Sequence, residues 1–582
     1  MFLRYVAPLC ATQALAVIAQ PPLVEDGGVK YIGTNSHGVE SFLNIRYGQD
    51  TTGPRRFKPP VAFSYGSGVY VDATQAGAAC PQILGNPLPQ FRGIYDNVTK
   101  ISEDCLTVRV TRPLNTSAHA KLPVMVYLYG SGYEFGSIYD EVAYNPINFV
   151  KLDESKGLPI IYVAINYRVG IFGFAASDAL RDEDGLNVGL LDQYLGLQWV
   201  RDHIESFGGN PKDVTLFGQN VGWANIQLQL TAFGGKSESL FNRAILQSGP
   251  TFSGVGLTAG ITDNSTAQVT RAVNCTSQIG HEELSCLRAL PMSILNDAAI
   301  EYANSYSRFG GFGTFRPTAP STFIPDVPSV LLHNGSFRRD VDIMIGWNEN
   351  DGSVYVPHTG NGTDDFTATI ETLFPRLSNI SLHNLTELYP PTNFSNDAAD
   401  GVDRTFFQAS QVIRDAHFAC PSLRLAREWH DYAPNRSVYM YTLNQSVLQG
   451  RETRNRHGYF GVSHFSDIPY VFDAVNSAEW SAAANQSDYD IASHMSGSWA
   501  SFATFGQPTI PSISDEELLT SNLTISNWTQ AGWIEEYGLG MQIRILGGPR
   551  NGMTWTFGGY NEFFDWRCAY WGGEQVLEET WI

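Results

Sequence analysis

The stretch from Val214 to Trp223, VTLFGQNVGW, has the spacing of a catalytic turn. An apolar run typical of a strand ends at Phe217, and Gly218 and Gly222 stand four residues apart ahead of a run typical of a helix. This is the frame of the G-x-S-x-G turn, which raises a serine hydroxyl above a parallel sheet. The middle position here is Asn220, and a carboxamide cannot attack a carbonyl to form an acyl-enzyme. The stretch therefore predicts the turn and argues against its usual chemistry.

Such a turn needs a parallel sheet to carry it, and the apolar runs predict one. Continuous runs of β-branched and aromatic residues are typical of strands buried on both faces of a parallel sheet. A predicted helix, Gly189–Gly209, lies between two of these runs. The alternation predicts an α/β fold with one dominant sheet, and the lack of a Pro/Ser/Gly-rich linker predicts a single domain over residues 20–582. The predicted strands are Leu122–Gly130, Leu158–Val169, Asp213–Gly218, Arg243–Gly249, Val341–Asn348 and Ser437–Asn444.

The first residues predict export. Arg4 precedes a short apolar stretch that ends in small residues near Ala19, which resembles a cleavable signal peptide over residues 1–19 and is too short to span a membrane. Fourteen N-x-S/T sequons support a secreted glycoprotein, although each one alone is a weak signal. The predicted glycosylation sites are Asn97, Asn115, Asn264, Asn274, Asn334, Asn361, Asn379, Asn384, Asn393, Asn435, Asn444, Asn485, Asn522 and Asn527.

Cysteine usage agrees with an oxidising compartment. Of the seven cysteines, one leaves with the predicted leader, and an even number in an exported chain implies disulfides. Cys80 with Cys105, and Cys275 with Cys286, would each close a short local loop. Cys420 and Cys568 remain, and for these two a long-range bridge and two separate buried thiols are equal alternatives.

Charge excludes some classes of partner. The net charge is −21 and the pI is near 4.9, which argues against binding to nucleic acid or to an anionic membrane surface. No later segment offers about 18 uninterrupted apolar residues, so we expect no stable membrane insertion. We also expect no metal and no cofactor, and the sequence leaves the oligomeric state open.

Taken together, the motifs resemble a known family. The chain is similar to the type-B carboxylesterase/lipase family, the cholinesterase-like branch of the α/β-hydrolases, and to its secreted fungal members most of all. The resemblance implies an α/β-hydrolase fold with a large, mostly parallel central sheet flanked by helices. It rests on eight stretches, Gly53–Pro60, Ser102–Val110, Asn166–Phe174, Gly189–Val200, Phe207–Gly218, Phe241–Gly249, Phe323–Phe337 and Gly461–Phe472, which occur in the family's order.

The resemblance implies an acid and a base. In chain order the acid would be Asp351, in GWNENDGSVY, and the base would be His464, in GVSHFSD. The acid would hold the histidine in one tautomer and stabilise its protonated form. From composition alone, Asp351 would be a turn residue and His464 a structural or exposed histidine. Asn220 would occupy the nucleophile position without being nucleophilic, and it tolerates the positive φ of such a turn.

The resemblance also implies an oxyanion hole in the stretch YLYGSGYEFG. The family has a histidine and consecutive glycines there, whereas this chain has Tyr129, Gly130, Ser131 and Gly132. The donors would be the backbone N–H groups of Ser131 and Gly132, joined by that of Val221. Ser131 adds a Cβ in a place where glycine adopts the required conformation more cheaply.

Three functions follow as hypotheses, and we favour the first, because a protein without a proton-transfer task would have little reason to keep both Asp351 and His464. The first is a repurposed enzyme in which His464, backed by Asp351, acts as general base or acid on a small hydrophobic molecule of ester-like or polyketide-like type, as in fungal secondary metabolism. Asn220 would then be a hydrogen-bonding anchor. The second is a catalytically dead binding protein, and the third is a weak ester hydrolase in which His464 activates water. The loop closed by Cys80 and Cys105 resembles the family's flap and would line an apolar pocket, although a stapled surface loop fits its composition equally well.

Overall fold

In a computed structural model of the chain, an 11-stranded sheet forms the centre of the molecule. The structure describes residues 20–84, 98–139, 145–249, 260–306, 313–357, 365–397, 400–455, 457–477, 480–512, 524–525, 542–555 and 564–580. The predicted leader at residues 1–19 and most of the predicted flap, at residues 85–97, lie outside the described residues.

The strands agree with the predicted runs. All six predicted strands are present, at β7 to β12, and they form the middle of the large sheet. The strands are β1 Leu23–Asp26, β2 Val29–Ile32, β3 Thr34–Ser36, β4 Val39–Arg46, β5 Tyr70–Asp72, β6 Thr107–Pro113, β7 Leu122–Tyr127, β8 Ile161–Ile165, β9 Gly209–Gln219, β10 Arg243–Gln247, β11 Asp342–Asn348, β12 Val438–Leu443, β13 Pro511–Ser512, β14 Thr524–Ile525, β15 Gln542–Leu546 and β16 Gly552–Trp555.

The helices cover both faces of that sheet in the manner of an α/β fold. The predicted helix at 189–209 is α4, which ends at His203 and continues as a short 3₁₀ turn. The helices are α1 Ile147–Ser155, α2 Gly170–Phe174, α3 Asp178–Asp182, α4 Val188–His203, α5 Val221–Thr231, α6 Ile261–Ala272, α7 Gly280–Ala289, α8 Met292–Tyr306, α9 Pro328–His333, α10 Phe366–Leu373, α11 Asn379–Leu388, α12 Arg404–Arg414, α13 Cys420–Tyr432, α14 Leu448–Arg454, α15 Ile468–Val471, α16 Gln486–Phe505, α17 Phe564–Trp571 and α18 Glu574–Thr580.

The sheet is parallel at its centre and antiparallel at its edges. Its order is β16-β15-β12-β11-β10-β9-β7-β8-β6-β4-β3, and β8, β7, β9, β10, β11, β12 and β15 run in parallel. In register, Phe217 of β9 lies beside Tyr127 of β7 and Ile245 of β10. All five residues of β8, Ile161–Ile165, are fully buried, which is why the run is continuously apolar. The carboxyl ends of the central strands therefore meet at one edge, where α/β sheets place their sites.

Three disulfides join the described residues. Cys80 bonds to Cys105 and Cys275 to Cys286, which confirms both predicted pairs. Cys420 also bonds to Cys568, 148 residues further along the chain, so the long-range bridge is the correct one of the two alternatives.

The predicted glycosylation sites lie mostly on the surface. Four of the fourteen, at positions 97, 361, 522 and 527, are outside the described residues. Of the other ten, nine asparagines are exposed, and Asn444, which follows β12, is half-buried. An exposed side chain is what attachment of a bulky glycan requires, so the nine exposed positions are sterically compatible with glycosylation.

Candidate active site

The turn at Asn220 has the geometry that its glycines predict. Strand β9 ends at Gln219 and helix α5 begins at Val221, so Asn220 stands alone between them with φ 61° and ψ −127°. The two glycines permit the close approach of the helix to the neighbouring loop. A Cβ added to Gly218 or Gly222 would lie 2.6 Å or 2.2 Å from the carbonyl oxygen of Leu128. Packing at this turn thus excludes any larger residue at both positions.

The side chain of Asn220 occupies the predicted oxyanion hole. The backbone N–H of Ser131 donates to Asn220 Oδ1 over 3.0 Å, and that of Gly132 donates to the same oxygen over 3.1 Å. Because backbone N–H groups only donate, the atom they contact is the amide oxygen, and this fixes the orientation of the carboxamide. The two N–H groups that would bind a substrate oxyanion already have an acceptor from the protein itself.

The other end of the carboxamide contacts the predicted base. Asn220 Nδ2 lies 2.8 Å from His464 Nε2, and His464 Nδ1 lies 2.8 Å from Asp351 Oδ1. The amide nitrogen can only donate, so Nε2 accepts and the ring proton is on Nδ1, directed at the carboxylate. His464 and Asp351 are fully buried and Asn220 is 2% exposed. The three residues form one hydrogen-bonded chain, in which the amide takes the place that a serine hydroxyl has in a hydrolytic triad.

Neighbouring groups hold the acid and base in place. The backbone N–H of Asn348, the last residue of β11, donates to Asp351 Oδ2 over 2.6 Å. Gln219 Nε2 lies 3.1 Å from His464 Nε2. A second buried acid, Asp467, accepts from the side chains of Gln247 and Asn348. Burial and the nearby Asp351 raise the pKa of Asp467 to about 6.

Aromatic rings enclose the histidine. Tyr355, in the 3₁₀ turn Ser353–Tyr355, has its ring centroid 5.5 Å from that of His464, and its hydroxyl lies 3.5 Å from Asn220 Nδ2. Phe418 lies in a π-helical segment, Asp415–Ala419, and its ring is 5.1 Å from His464. These contacts give the imidazole an apolar surround that strengthens its polar contacts.

The loop that carries the oxyanion donors is held by a pair of tyrosines. The rings of Tyr129 and Tyr167 stack at 4.3 Å, and each hydroxyl donates to the backbone oxygen of the other residue. Ser131 has φ 80°, a left-handed conformation that costs a serine more than a glycine. Its hydroxyl is buried and has no hydrogen-bond partner among the described residues. The loop thus reaches its donor geometry at some conformational cost.

The structure brings most of the predicted site residues together. Asn220, His464, Asp351, Ser131 and Gly132 are joined directly, as described above. The N–H groups that contact Asn220 Oδ1 are those of Ser131 and Gly132. Val221 begins α5 beside Asn220, and its role as a third oxyanion donor stays a prediction.

Sequence reasoning missed three contributors to the site. Asn348 and Tyr355 flank Asp351 within four residues. Asn348 could have been found, because it is a polar residue at the end of a predicted strand. No local pattern marks Phe418, which the packing of α12 and α13 brings to the imidazole.

In the described part of the chain, no three His, Cys, Asp or Glu side chains are grouped closely enough to hold a metal ion. Within the same residues, no helix is both long and apolar enough to cross a membrane.

Comparison with known proteins shows a matching family, similar fungal proteins and a similar solved structure. The model of the carboxylesterase family matches residues 26–543. The chain is 38% identical over 493 residues to the inactive carboxylesterase-like protein VdtD of Byssochlamys spectabilis, with 82% of each chain covered. It is 36% identical over 511 residues to a secreted lipase of Arthroderma benhamiae, with 86% of each covered. The crystal structure of Aspergillus niger EstA superposes with a TM-score of 0.76 at 25% identity, covering 97% of this chain and 99% of that one.

Proposed function

The chain belongs to the carboxylesterase family, and on that premise we propose that it is an exported member that binds a small apolar, ester-like molecule without hydrolysing it through an acyl-enzyme. The observation that carries this proposal is the placement of Asn220 Oδ1 between the N–H groups of Ser131 and Gly132.

Two requirements of acyl transfer are missing from this arrangement. The reaction needs a nucleophile beside the base, and a carboxamide nitrogen is not nucleophilic because its lone pair is delocalised into its own carbonyl group. It also needs free donors for the developing oxyanion, and here the donors hold Asn220. A substrate carbonyl would have to displace the two hydrogen bonds of Asn220 Oδ1, each worth about 0.5–1.5 kcal/mol. In the resting site the oxyanion donors are therefore occupied by Asn220, and the amide has hydrogen-bond partners within the protein.

Proton transfer is the second candidate function. The Asp351–His464 pair keeps the geometry of a general base, and Nε2, with its lone pair, is covered by the neutral amides of Asn220 and Gln219. A ligand that displaces the Asn220 amide would meet this lone pair directly. Elimination, isomerisation and cyclisation need such a group and need no acyl-serine, so a small hydrophobic molecule of fungal secondary metabolism would be a fitting substrate. Hydrolysis by a water that His464 activates is a weaker candidate, because it lacks the proximity gain of a covalent nucleophile.

Export rests on features outside the site. The leader-like residues 1–19, the three disulfides and the nine exposed sequons all suit the secretory pathway. N-terminal sequencing of protein recovered from culture medium should begin at or next to Gln20. Recovery of the unprocessed chain inside cells only would contradict export.

Binding without turnover is tested with 1-naphthyl butyrate. Wild type and His464→Ala are each incubated with the ester, and bound ester is separated from released 1-naphthol and quantified. We expect saturable binding and recovery of the intact ester from both proteins, with no labelling of wild type by a fluorophosphonate probe. Release of naphthol at ordinary esterase rates by wild type would contradict the proposal, and its loss in His464→Ala would assign that hydrolysis to the histidine.

The second candidate is tested with metabolites. Extracts of the source organism are incubated with wild type or with His464→Ala, and the products are compared by mass spectrometry. A compound that wild type converts and His464→Ala leaves unchanged would establish proton-transfer catalysis. Identical profiles from both proteins would leave binding as the function.

A further inference from the structure

Gln219, the last residue of β9, contacts the same histidine as Asn220. The residue is 1% exposed, and its Nε2 lies 3.1 Å from His464 Nε2 and 3.5 Å from His464 Nδ1. Its Oε1 is buried and has no hydrogen-bond partner in the described part of the chain. The hydrogen bonds from Asp351 through His464 to Asn220 are complete without this side chain.

The two amides approach the imidazole from different directions. The lone pair of Nε2 lies in the ring plane and points away from Nδ1, so a donor on its axis is much farther from Nδ1 than from Nε2. The two distances of Gln219 Nε2 are nearly equal, which places this nitrogen over the face of the ring. Asn220 Nδ2, 2.8 Å from Nε2, takes the lone pair itself. Gln219 is thus an N–H donor to the ring face.

This contact favours the neutral ring over the imidazolium. The face of a neutral aromatic ring is electron-rich and attracts an N–H group. An imidazolium is positive and repels the positive end of the amide dipole, and burial of both residues limits screening by water. Turning the amide over would remove its N–H from the imidazole, which is its partner among the described residues.

We propose that Gln219 is a positioning residue that holds His464 in its neutral form and opposes any step in which Nε2 takes up a proton. The inference rests on the proposed function and deepens it, because it gives a second reason, independent of the missing hydroxyl, for binding without turnover. It also favours binding over proton transfer as the function of the site.

A reaction that needs the imidazolium can be supplied by Asn220→Ser. The introduced hydroxyl oxygen bonds to the ester carbonyl carbon, the carbonyl π electrons move to oxygen, and the hydroxyl proton passes to His464 Nε2. The imidazolium then gives this proton to the departing alcohol as the ester C–O bond breaks. Gln219 opposes the charge that develops in the transition state, so it should lower kcat and leave KM unchanged.

The test measures kcat and KM on 4-nitrophenyl butyrate at pH 8 for Asn220→Ser alone and combined with Gln219→Met or Gln219→Glu. Methionine has a similar length and no N–H group, so Gln219→Met should raise kcat by about threefold, as expected for the loss of one weak contact. Gln219→Glu places a negative charge beside the ring and should raise kcat by about tenfold or more. Labelling of residue 220 by a fluorophosphonate probe should accelerate in the same order.

The matched controls carry the same two changes of Gln219 in Asn220→Ala, which has no nucleophile and should stay inactive throughout. Equal kcat values for the three Asn220→Ser proteins with native unfolding midpoints, or a change in KM alone, would overturn the inference. If Gln219→Glu does not fold, the comparison with Gln219→Met decides.

The outcome remains decisive if Asn220→Ser alone is inactive. Activity in either combined variant would then support the inference, and its absence from both folded variants would overturn it. Hydrolysis by wild type would overturn the proposed function, whereas the order of the three Asn220→Ser proteins decides the role of Gln219, so the two failures are distinguishable.

Discussion

Replacing Asn220 by serine should create an esterase at the expense of stability. The carboxamide makes three short hydrogen bonds, to the N–H groups of Ser131 and Gly132 and to His464 Nε2, and a longer one of 3.5 Å to the Tyr355 hydroxyl. Of the short ones, a serine hydroxyl can keep only the one to His464, so two buried N–H groups lose their acceptor. Each costs about 1–3 kcal/mol when unsatisfied, and water entering the hole would recover part of this. We expect Asn220→Ser to lower the free energy of unfolding by about 2–4 kcal/mol.

The same change should supply the missing nucleophile. Loss of the serine costs about 10⁶ in turnover in the subtilisin triad, which sets the upper limit of the gain. Ser131 is strained where the family has glycine, and Gln219 also contacts His464 Nε2, so we expect a gain of about 10²–10⁴ over wild type on 4-nitrophenyl butyrate. A fluorophosphonate probe should then label residue 220, with no label on wild type.

Asn220→Ala is the matched control. It removes every hydrogen bond of the carboxamide and adds no nucleophile, so it should be at least as destabilised as Asn220→Ser and remain inactive. Equal stability of wild type, Asn220→Ser and Asn220→Ala in denaturant titrations would refute the placement of Oδ1 in the hole. A stable Asn220→Ser protein with native structure and no esterase activity would refute the view that only the hydroxyl is missing.

Three further changes probe the surroundings. Ser131→Gly should raise the free energy of unfolding by about 1 kcal/mol, since it relieves a positive φ and removes a buried hydroxyl without a described partner; a lower value in denaturant titration would contradict this strain. Burial gives Glu134 a folded pKa of about 8 against an ordinary 4.5, so its contribution to stability is complete below pH 4.5 and is lost as pH rises through 8. The unfolding midpoint of Glu134→Gln should therefore rise relative to that of wild type between pH 5 and pH 9. A difference in midpoint that does not change with pH would contradict the raised pKa. Cys568→Ser, which opens a bridge over 148 residues, should cost about 2–5 kcal/mol of unfolding free energy, and a smaller loss would mean that helix packing alone holds the C-terminal region.

Local sequence was sufficient for the elements that form the sheet. Runs such as Ile161–Ile165 are continuously apolar because both faces of their strands are buried, and that pattern is readable without any tertiary information. The short disulfide loops were predictable for a similar reason, since residues 25 and 11 apart meet readily. Cys420 and Cys568 could not be assigned in advance, because their contact depends on how α13 packs on α17.

Resemblance located the acid and base, but it could not reveal what the asparagine does. The two oxyanion donors are about 90 residues away from Asn220 in sequence, and only the folded sheet brings β7 beside β9. From the sequence, the presence of both His464 and Asp351 favours a proton-transfer task. Both are fully buried and hydrogen-bonded, so loss of either would leave a buried polar group without a partner. Stability alone is a sufficient reason for them to be kept.

The glycine frame of the turn has a consequence for how such a protein arises. A side chain at Gly218 or Gly222 would collide with the backbone at Leu128, so neither position can change while the fold lasts. Position 220 has room for a side chain, so a small polar residue that tolerates its positive φ fits there whether or not it is a nucleophile. Mutation in this lineage can therefore remove catalysis in one step and leave the architecture whole. After such a change the turn can persist as scaffolding, and the chain can acquire a new ligand while the frame remains.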